Sequence, residues 1–310
     1  MKHKRIFVVG GAGFLGYHTS LELADRGVAV TCLAMPDELV DDSLSSRVNL
    51  VRADIDTLSD EQLGQLLSGH EALVYAAGPD DRVELTDGTR AADFFNRHLV
   101  ERTERVVRAA KSQGIEKAIV YGSYFSFINN HGLSGIEKGA LERHPYVKAR
   151  VEQTRRVFAL GDDNFSVAVL NIPYVFGIAP NKEPIWRSVF VDRFGQSPKI
   201  YYGNGGTTLL SAKKVAYATA QAVEHAVHGD ELAIGSKNMK FKPMIEQLLA
   251  AAEIDKRVGS IPGWLSGIFM KSAWKKAQKA GHDSGLDLRY LAKDILERDF
   301  YVDYQETDQR

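Results

Sequence analysis

Glycines at positions 10, 13 and 16, set between an apolar run and a helical pattern, constrain the fold of this chain more than any other feature. Ile6-Phe7-Val8-Val9 favours a β-strand and stops at Gly10-Gly11-Ala12-Gly13-Phe14-Leu15-Gly16. Tyr17 to Arg26 reads as a helix with Leu21, Leu23 and Ala24 inward, stopped by Gly27. Val28–Leu33 follows as a second buried strand. Strand, glycine turn, helix and strand within about thirty residues make the βαβ unit that a dinucleotide fingerprint requires. One glycine permits the tight turn, one lets backbone approach a pyrophosphate, and one packs helix against strand. The phosphates would rest on the first amides of the helix. A turn that needs glycine only for its own geometry is the plain alternative, and the flanking elements favour a nucleotide site.

The alternation continues. Val48–Arg52, Ala72–Tyr75, Ile119–Ser123 and Asn164–Leu170 read as strands with helical stretches between them, which predicts a parallel sheet covered on both faces. After residue 177 the regularity loosens. Residues 178–210 hold Pro180, Pro184 and Pro198 with glycines at 203, 205 and 206, a loop-rich stretch. Val215–Val227 and Pro262–Gly281 return as helices, and Glu231–Ile234 as a strand. The 310 residues exceed one minimal domain. The expected division is 1–177 as nucleotide domain, with 211–236 packing back onto it, and 178–210 with 237–310 as a smaller lobe.

The glycine spacing departs from G-x-G-x-x-G, and Val8-Val9-Gly10-Gly11-Ala12-Gly13-Phe14-Leu15-Gly16 resembles the extended short-chain dehydrogenase/reductases, the NAD(P)-dependent epimerase/dehydratase family. Asp54-Ile55 is similar to the family's adenine contact, and Ala76-Ala77-Gly78 to the loop against the cofactor. Ile119–Ser123 resembles the strand carrying the active-site serine, and Pro173 with Val175-Phe176-Gly177 the loop beyond the next strand. The resemblance implies an α/β, Rossmann-type doubly wound parallel sheet with a small C-terminal substrate lobe. It implies an NAD or NADP cofactor held by the residues of these motifs, and a homodimer built from helices near 97–112 and 145–160. Which cofactor stays open. An acid after the second strand would bond the ribose of NAD and an arginine would welcome the phosphate of NADP, but Ala34 stands there, Asp37 and Glu38 lie beyond Pro36, and no arginine is adjacent.

Family members move a proton with a tyrosine, hold the nicotinamide ribose with a lysine four residues later, and hold the substrate oxygen with a serine or threonine. The spacing places tyrosine and lysine on one helix face. Ser123 matches the serine, a hydroxyl capping a strand end being the plain alternative. Lys148 is the best match to the lysine, with Glu152 four residues later and Asn171, where the family usually has arginine, 23 positions on. In that register the tyrosine position falls on His144. Tyr146 is two residues from Lys148, about 200° around an ideal helix. A shifted register pairs Tyr146 with Arg150, which stays charged and is a poorer match. Three readings stay open: His144 as acid and base, Tyr146 and His144 both swung by irregular backbone at Pro145, or loss of the proton-transfer residue. The family's asparagine before the serine strand aligns with Leu99, with Asn96 one turn earlier.

Other chemistries recede. Tyr124 and Phe125 follow Ser123 where family dehydratases carry an acid pair, which argues against sugar dehydration. Tyr121, Tyr124, Phe125 and Phe127 read as core packing or as an apolar wall beside the nicotinamide. The nine histidines show no paired ligand spacing, so no metal site is expected. Cys32, the only cysteine, excludes an internal disulfide and reads as a buried strand residue. Thirty-nine basic against 40 acidic residues leave no global field for nucleic acid. With neither a leader-like segment nor a membrane-length apolar run, the expectation is a cytoplasmic protein. Lys271, Lys275, Lys276 and Lys279 beside Trp264, Phe269 and Trp274 read as a solvated basic face with the aromatics turned inward, a membrane-interface surface being the alternative. Ile261-Pro262-Gly263-Trp264-Leu265 resembles the lobe start of steroid-dehydrogenase-like and flavonol-reductase-like members, whose substrates are bulky. The leading expectation is an NAD(P)-dependent oxidoreductase or epimerase acting on a carbinol or ketone of a small molecule, either a nucleotide sugar or something bulkier and less polar. The rival is a non-catalytic NAD(P)-binding sensor or scaffold.

Overall fold

Seven parallel strands with apolar side chains on both faces form the centre of the molecule, as seen in a computed structural model that describes residues 1–184 and 186–303. The first half runs β1 (Arg5–Val9), α1 (Phe14–Asp25), β2 (Ala29–Ala34), α2 (Asp42–Ser45), β3 (Asn49–Arg52), α3 (Asp60–Leu67), β4 (Ala72–Tyr75) and β5 (Glu84–Leu85). It continues through α4 (Ala91–Phe95), α5 (Arg102–Ser112), β6 (Lys117–Ser123), α6 (Tyr124–His131), α7 (Pro145–Phe158), β7 (Ser166–Ile172) and β8 (Tyr174–Phe176). Then follow α8 (Arg193–Gly195), β9 (Ile200–Tyr202), β10 (Gly206–Ser211), α9 (Ala212–His225), β11 (Glu231–Ala233) and β12 (Lys237–Lys240). Last come α10 (Phe241–Ala251), β13 (Val258–Ser260), α11 (Gly263–Lys279), β14 (Asp283–Ser284), α12 (Leu288–Leu291) and β15 (Asp299–Phe300). A π-helical turn, Asn96–Glu101, joins α4 to α5.

The central sheet has the order β11-β7-β6-β4-β1-β2-β3, so strand order reverses between β1 and β4. Side chains alternate along each strand. Ile6, Val8, Val30, Val74, Ile119 and Leu170 face one side, against Leu23 of α1 and Val215, Ala218 and Ala222 of α9. Phe7, Val9, Leu33, Leu73, Val120 and Val169 face the other, against Leu63 and Leu67 of α3, Val106 and Val107 of α5 and Val157 of α7. Both faces are covered, which is why the strands read as continuous apolar runs. The reversal opens a crevice outside the carboxyl ends of β1 and β4, where ligands bind in sheets of this kind.

The stretch expected to be loop-rich contains β10, which pairs with β8, β12 and β15 in a second, smaller sheet. Its centre is Thr207 and Thr208, both fully buried. Thr207 Oγ1 lies 2.9 Å from the Tyr124 hydroxyl, and Thr208 Oγ1 donates to Asn238 Oδ1 at 2.6 Å while accepting the Val302 N–H at 3.0 Å. A strand that buries hydroxyls satisfied from distant segments carries no apolar signature. Below it, Phe190, Ile200, Phe241, Met244, Ile245 and Leu249 form the core of the lobe. Ile295, Phe300 and Val302 near the C-terminus pack among Phe95, Tyr124, Phe125, Tyr146 and Val147, so the end of the chain buttresses α6 and α7. Among the described residues no helix is long and apolar enough to cross a membrane.

Candidate active site

A cleft of about 690 Å³ lies at the reversal point between β1 and β4. Gly10 sits at φ +71°, a left-handed conformation, and a Cβ there would press on Ala77 at 3.1 Å. A Cβ on Gly16 would stand 2.0 Å from the Gly10 carbonyl oxygen, so helix and turn approach this closely only with glycine at 16. Gly13 N-caps α1 without a side-chain cap, and the first turn holds no acid. Its amides are therefore open to an anion, and the cradle fits a dinucleotide diphosphate. Gly10, Gly13, Phe14, Leu15, Ala76, Ala77, Gly78, Pro173 and Val175 all line the cleft. Gly16 stands behind it. Asp54 and Ile55 are not among its lining: Ile55 is buried in the core, and Asp54 Oδ1 accepts the Asp56 N–H at 2.9 Å to close the turn after β3.

Beyond β2, Glu38 folds back to line the cleft. Its Oε2 accepts the Met35 N–H at 3.3 Å, and its Oε1 pairs with Lys182. An arginine does border this loop, contrary to what sequence adjacency suggested. Arg52 arrives from β3 and donates to the carbonyls of Met35, Pro36 and Glu38 at 3.4, 3.2 and 2.8 Å. Cys32 is fully buried beneath the loop, and burial pushes its thiol up to about 12, which suits a packing residue and no nucleophile.

Helix α7 decides which of the expected side chains face the cleft. Pro145 occupies its first turn, and Tyr146 and Arg150, one turn apart, face inward. Arg150 Nε donates to the Tyr146 hydroxyl at 3.1 Å, and the guanidinium lies 5.2 Å from the ring centroid. Arg150 Nη1 donates to the Tyr121 carbonyl and to Gln153 Oε1, both at 2.9 Å, and Gln153 Nε2 donates to Thr103 Oγ1 at 2.9 Å. Ser123, at the end of β6, faces the same phenol. Its Oγ also accepts the Phe125 N–H at 3.3 Å, so the capping role and the site role coexist. Burial raises the phenol pKa of Tyr146; Arg150 and Ser123 oppose the rise without cancelling it.

Two expected residues lie elsewhere. Lys148 is exposed, because two residues on from Tyr146 is the opposite side of α7. His144 is fully buried but does not reach the cleft. Its Nδ1 accepts the Asp287 N–H at 2.9 Å and its Nε2 meets Asp294 Oδ2 at 3.2 Å, leaving neither nitrogen for a substrate. The pair that α7 turns to the cleft is thus that of the shifted spacing, Tyr146 with Arg150. Asn96 also points away, donating to Glu101 Oε1 at 2.7 Å, while Leu99 is buried in the core. The aromatic run divides: Tyr121, Tyr124 and Phe125 border the cleft, the Tyr121 hydroxyl clamped between Thr19 and Thr219 at 2.6 and 2.7 Å, while Phe127 packs against His131.

Sequence reasoning missed Asp80-Asp81-Arg82, on the loop after β4, which also lines the cleft. Asp80 accepts from the Arg82 N–H and from its Nη2, each at 2.8 Å, and the guanidinium lies 5.8 Å from the Tyr174 ring centroid. Burial pushes the Asp81 carboxyl up to about 6 against the pull of Arg82, and its charge is felt by Tyr146, Tyr124 and Tyr174. No periodicity flags this tripeptide, since acids and arginine in a loop ordinarily face water. Among the described residues no group of three or more histidine, cysteine or acidic side chains could hold a metal.

A family model described as the NAD dependent epimerase/dehydratase family matches residues 6–235. A Synechocystis protein with the provisional name dihydroflavonol 4-reductase is 22% identical over 281 residues, 86% of this chain and 77% of the relative. Among solved structures, gox2253 superposes with a TM-score of 0.76 at 19% identity, over 97% of this chain and 90% of that one. UDP-glucose 4-epimerase from Thermotoga maritima, solved with UDP-glucose, gives a TM-score of 0.66 at 17% identity, over 83% and 85% of the two chains. These structural likenesses show the shared fold.

Proposed function

The chain belongs to the NAD dependent epimerase/dehydratase family, and from that premise we propose that it is an enzyme that oxidises or reduces a carbinol or ketone carbon with a nicotinamide cofactor. The observation that carries this reading is the convergence of Ser123, Tyr146 and Arg150 on the cleft that also holds the glycine cradle. The cofactor, when bound, supplies the two-electron oxidation or reduction of the substrate carbon. Tyr146, protonated at neutral pH, gives its proton to the carbonyl oxygen as charge builds there, and Ser123 hydrogen-bonds the same oxygen. Arg150 stabilises the phenolate left behind. It acts by charge and position and is no relay.

The lining favours an uncharged, partly apolar substrate over a nucleotide sugar. Of its carboxylates, Glu38 is paired with Lys182 and Asp80 with Arg82, which leaves Asp81 in excess, and Arg150 is already engaged by the Tyr121 carbonyl and Gln153. A second diphosphate would meet repulsion with no open cation to receive it. Tyr124, Tyr174 and Trp186 give the remaining wall an aromatic character. The provisional name of the Synechocystis relative falls in this chemical class, and the Thermotoga enzyme represents the alternative. Glu38, beyond the end of β2, favours NAD over NADP by repelling an added phosphate. Residues 1–177 with 211–236 hold the cofactor, and the lobe of 178–210 and 237–310 holds the substrate, its last seven residues lying outside the described ones.

The test is turnover of NADH and NADPH against bulky ketones and UDP-sugars, for the natural protein and Tyr146→Phe. Reduction of ketones with NADH, lost in the variant while cofactor binding persists, is expected. Turnover of UDP-sugars alone would overturn the substrate class. Tight cofactor binding without turnover on any of them would favour the sensor.

A further inference from the structure

Helix α11 leaves three large apolar side chains in solvent: Trp264 is 70% exposed, Ile268 56% and Phe269 53%. Only Trp274 of the aromatics expected to turn inward does so, half-buried with Arg289 4.9 Å from its ring centroid. The helix is held from the opposite side. Ser266 is buried and donates to Glu297 Oε1 at 3.3 Å, and Leu265, Met270, Ala273 and Ala277 are half-buried. Positions 264, 268, 271, 275 and 279 follow one another at helical spacing, so Trp264, Ile268, Lys271, Lys275 and Lys279 form one outward stripe. Phe269 and Lys276 flank it. The 17 residues of α11 contain no aspartate or glutamate. All four lysines are exposed, and none has an ion-pair partner among the described residues.

We propose that α11 docks the protein on an anionic phospholipid surface, with Trp264, Ile268 and Phe269 entering the boundary between headgroups and acyl chains and the four lysines on lipid phosphates. Charge chooses this occupant. The whole chain carries a net charge of −1, so the acid-free, lysine-rich face is a local concentration rather than part of a global field. A bilayer presents an anionic layer above an apolar one, and a helix lying in its plane can satisfy both as its lysine stems reach up to the phosphates. Tryptophan suits that depth, with an apolar body and an N–H for the wet side. A two-fold pairing of two copies across the middle of this stripe would set Lys271 and Lys275 of one copy against those of the other. With four lysines along the helix, the contact is interfacial and does not span. This reading is independent of the chemistry in the cleft.

The test is co-sedimentation of the full chain with vesicles of phosphatidylcholine alone and of phosphatidylcholine mixed with phosphatidylglycerol. The natural protein is expected to pellet with the mixed vesicles only, with a blue shift in tryptophan emission. The triple variant Trp264→Ser, Ile268→Ser, Phe269→Ser and the quadruple variant Lys271→Gln, Lys275→Gln, Lys276→Gln, Lys279→Gln should each bind about tenfold more weakly or worse. Circular dichroism melts should match the natural protein, since these side chains already face water. Absence of vesicle binding, equal binding to both vesicle types, or unchanged binding by both variants overturns the proposal. So does self-association, or capture of an oligonucleotide, that the same substitutions abolish while vesicles are ignored.

Discussion

Tyr146 and Arg150 carry a sharp expectation because each is fixed by several contacts. Tyr146→Phe should lower turnover by about 10² to 10⁴-fold, the usual worth of a positioned proton donor, with little change in cofactor affinity. Burial raises this phenol above the ordinary value of 10.0, so the protonated form persists through neutral pH. Reduction should therefore be flat with pH until above 10, while alcohol oxidation, which needs the phenolate, should climb steadily over the same range. A plateau in the oxidation profile near pH 7 would assign the proton to another group. Asp81 makes the opposite kind of statement. Its carboxyl titrates near 6 in the folded protein against 3.8 in an unpaired one, so the folded state is penalised as pH rises through that interval. Asp81→Asn should raise the melting temperature by about 2–4 °C at pH 8 and leave it unchanged below pH 3.8. A lower melting temperature at pH 8 would mean that its attraction to Arg82 outweighs the burial.

At the scale of the element, α7 is set by a clip at its first turn rather than by its own sequence. His144 bridges Asp287 and Asp294, and the Tyr146 N–H donates to the Gly285 carbonyl at 2.9 Å. Burial pushes the Asp294 carboxyl upward, but the His144 hydrogen bond and the Arg143 charge outweigh it and hold the group below the usual carboxylate range. Its contribution is present above the unfolded value and is lost as acid protonates it. His144→Ala should cost about 3 kcal/mol in denaturant unfolding, because it leaves a buried carboxylate short of a partner. The shape of the pH–rate profile should not change. A variant of native stability with a displaced profile would return His144 to the catalytic machinery. The family resemblance implied a helix near 145–160, where α7 lies, but the identity of its inward face depended on residues about 140 positions away. The same is true of β10, whose buried threonines are satisfied by Asn238, Tyr124 and Val302.

For the whole molecule, the proposed homodimer through α5 and α7 would form on a face of ion pairs. Glu104 holds Arg108 and Arg156, and Glu152 holds Arg155 and Arg156. These pairs lie within one chain, and a dimer that exchanges them for pairs across the interface would weaken with salt, so it should dissociate between low and high ionic strength in sedimentation experiments. A monomer at every salt concentration contradicts the dimer, and a dimer indifferent to salt points to another interface.

The glycine spacing, the apolar strands and the family likeness were enough to determine a doubly wound sheet with a nucleotide cradle at its first turn, because those features are local: a turn needs φ above zero, and a covered strand needs apolar side chains on both faces. The tertiary structure alone decided which residues meet in the cleft. His144 and Lys148 satisfied the family spacing on paper, yet one is held by the C-terminal segment and the other faces water. Arg52, Glu38 and Asp81 reach the site or its rim through loop paths that no periodicity encodes. Helix faces and loop courses are chosen by packing partners far away in the chain, and those partners become neighbours only once the fold has formed.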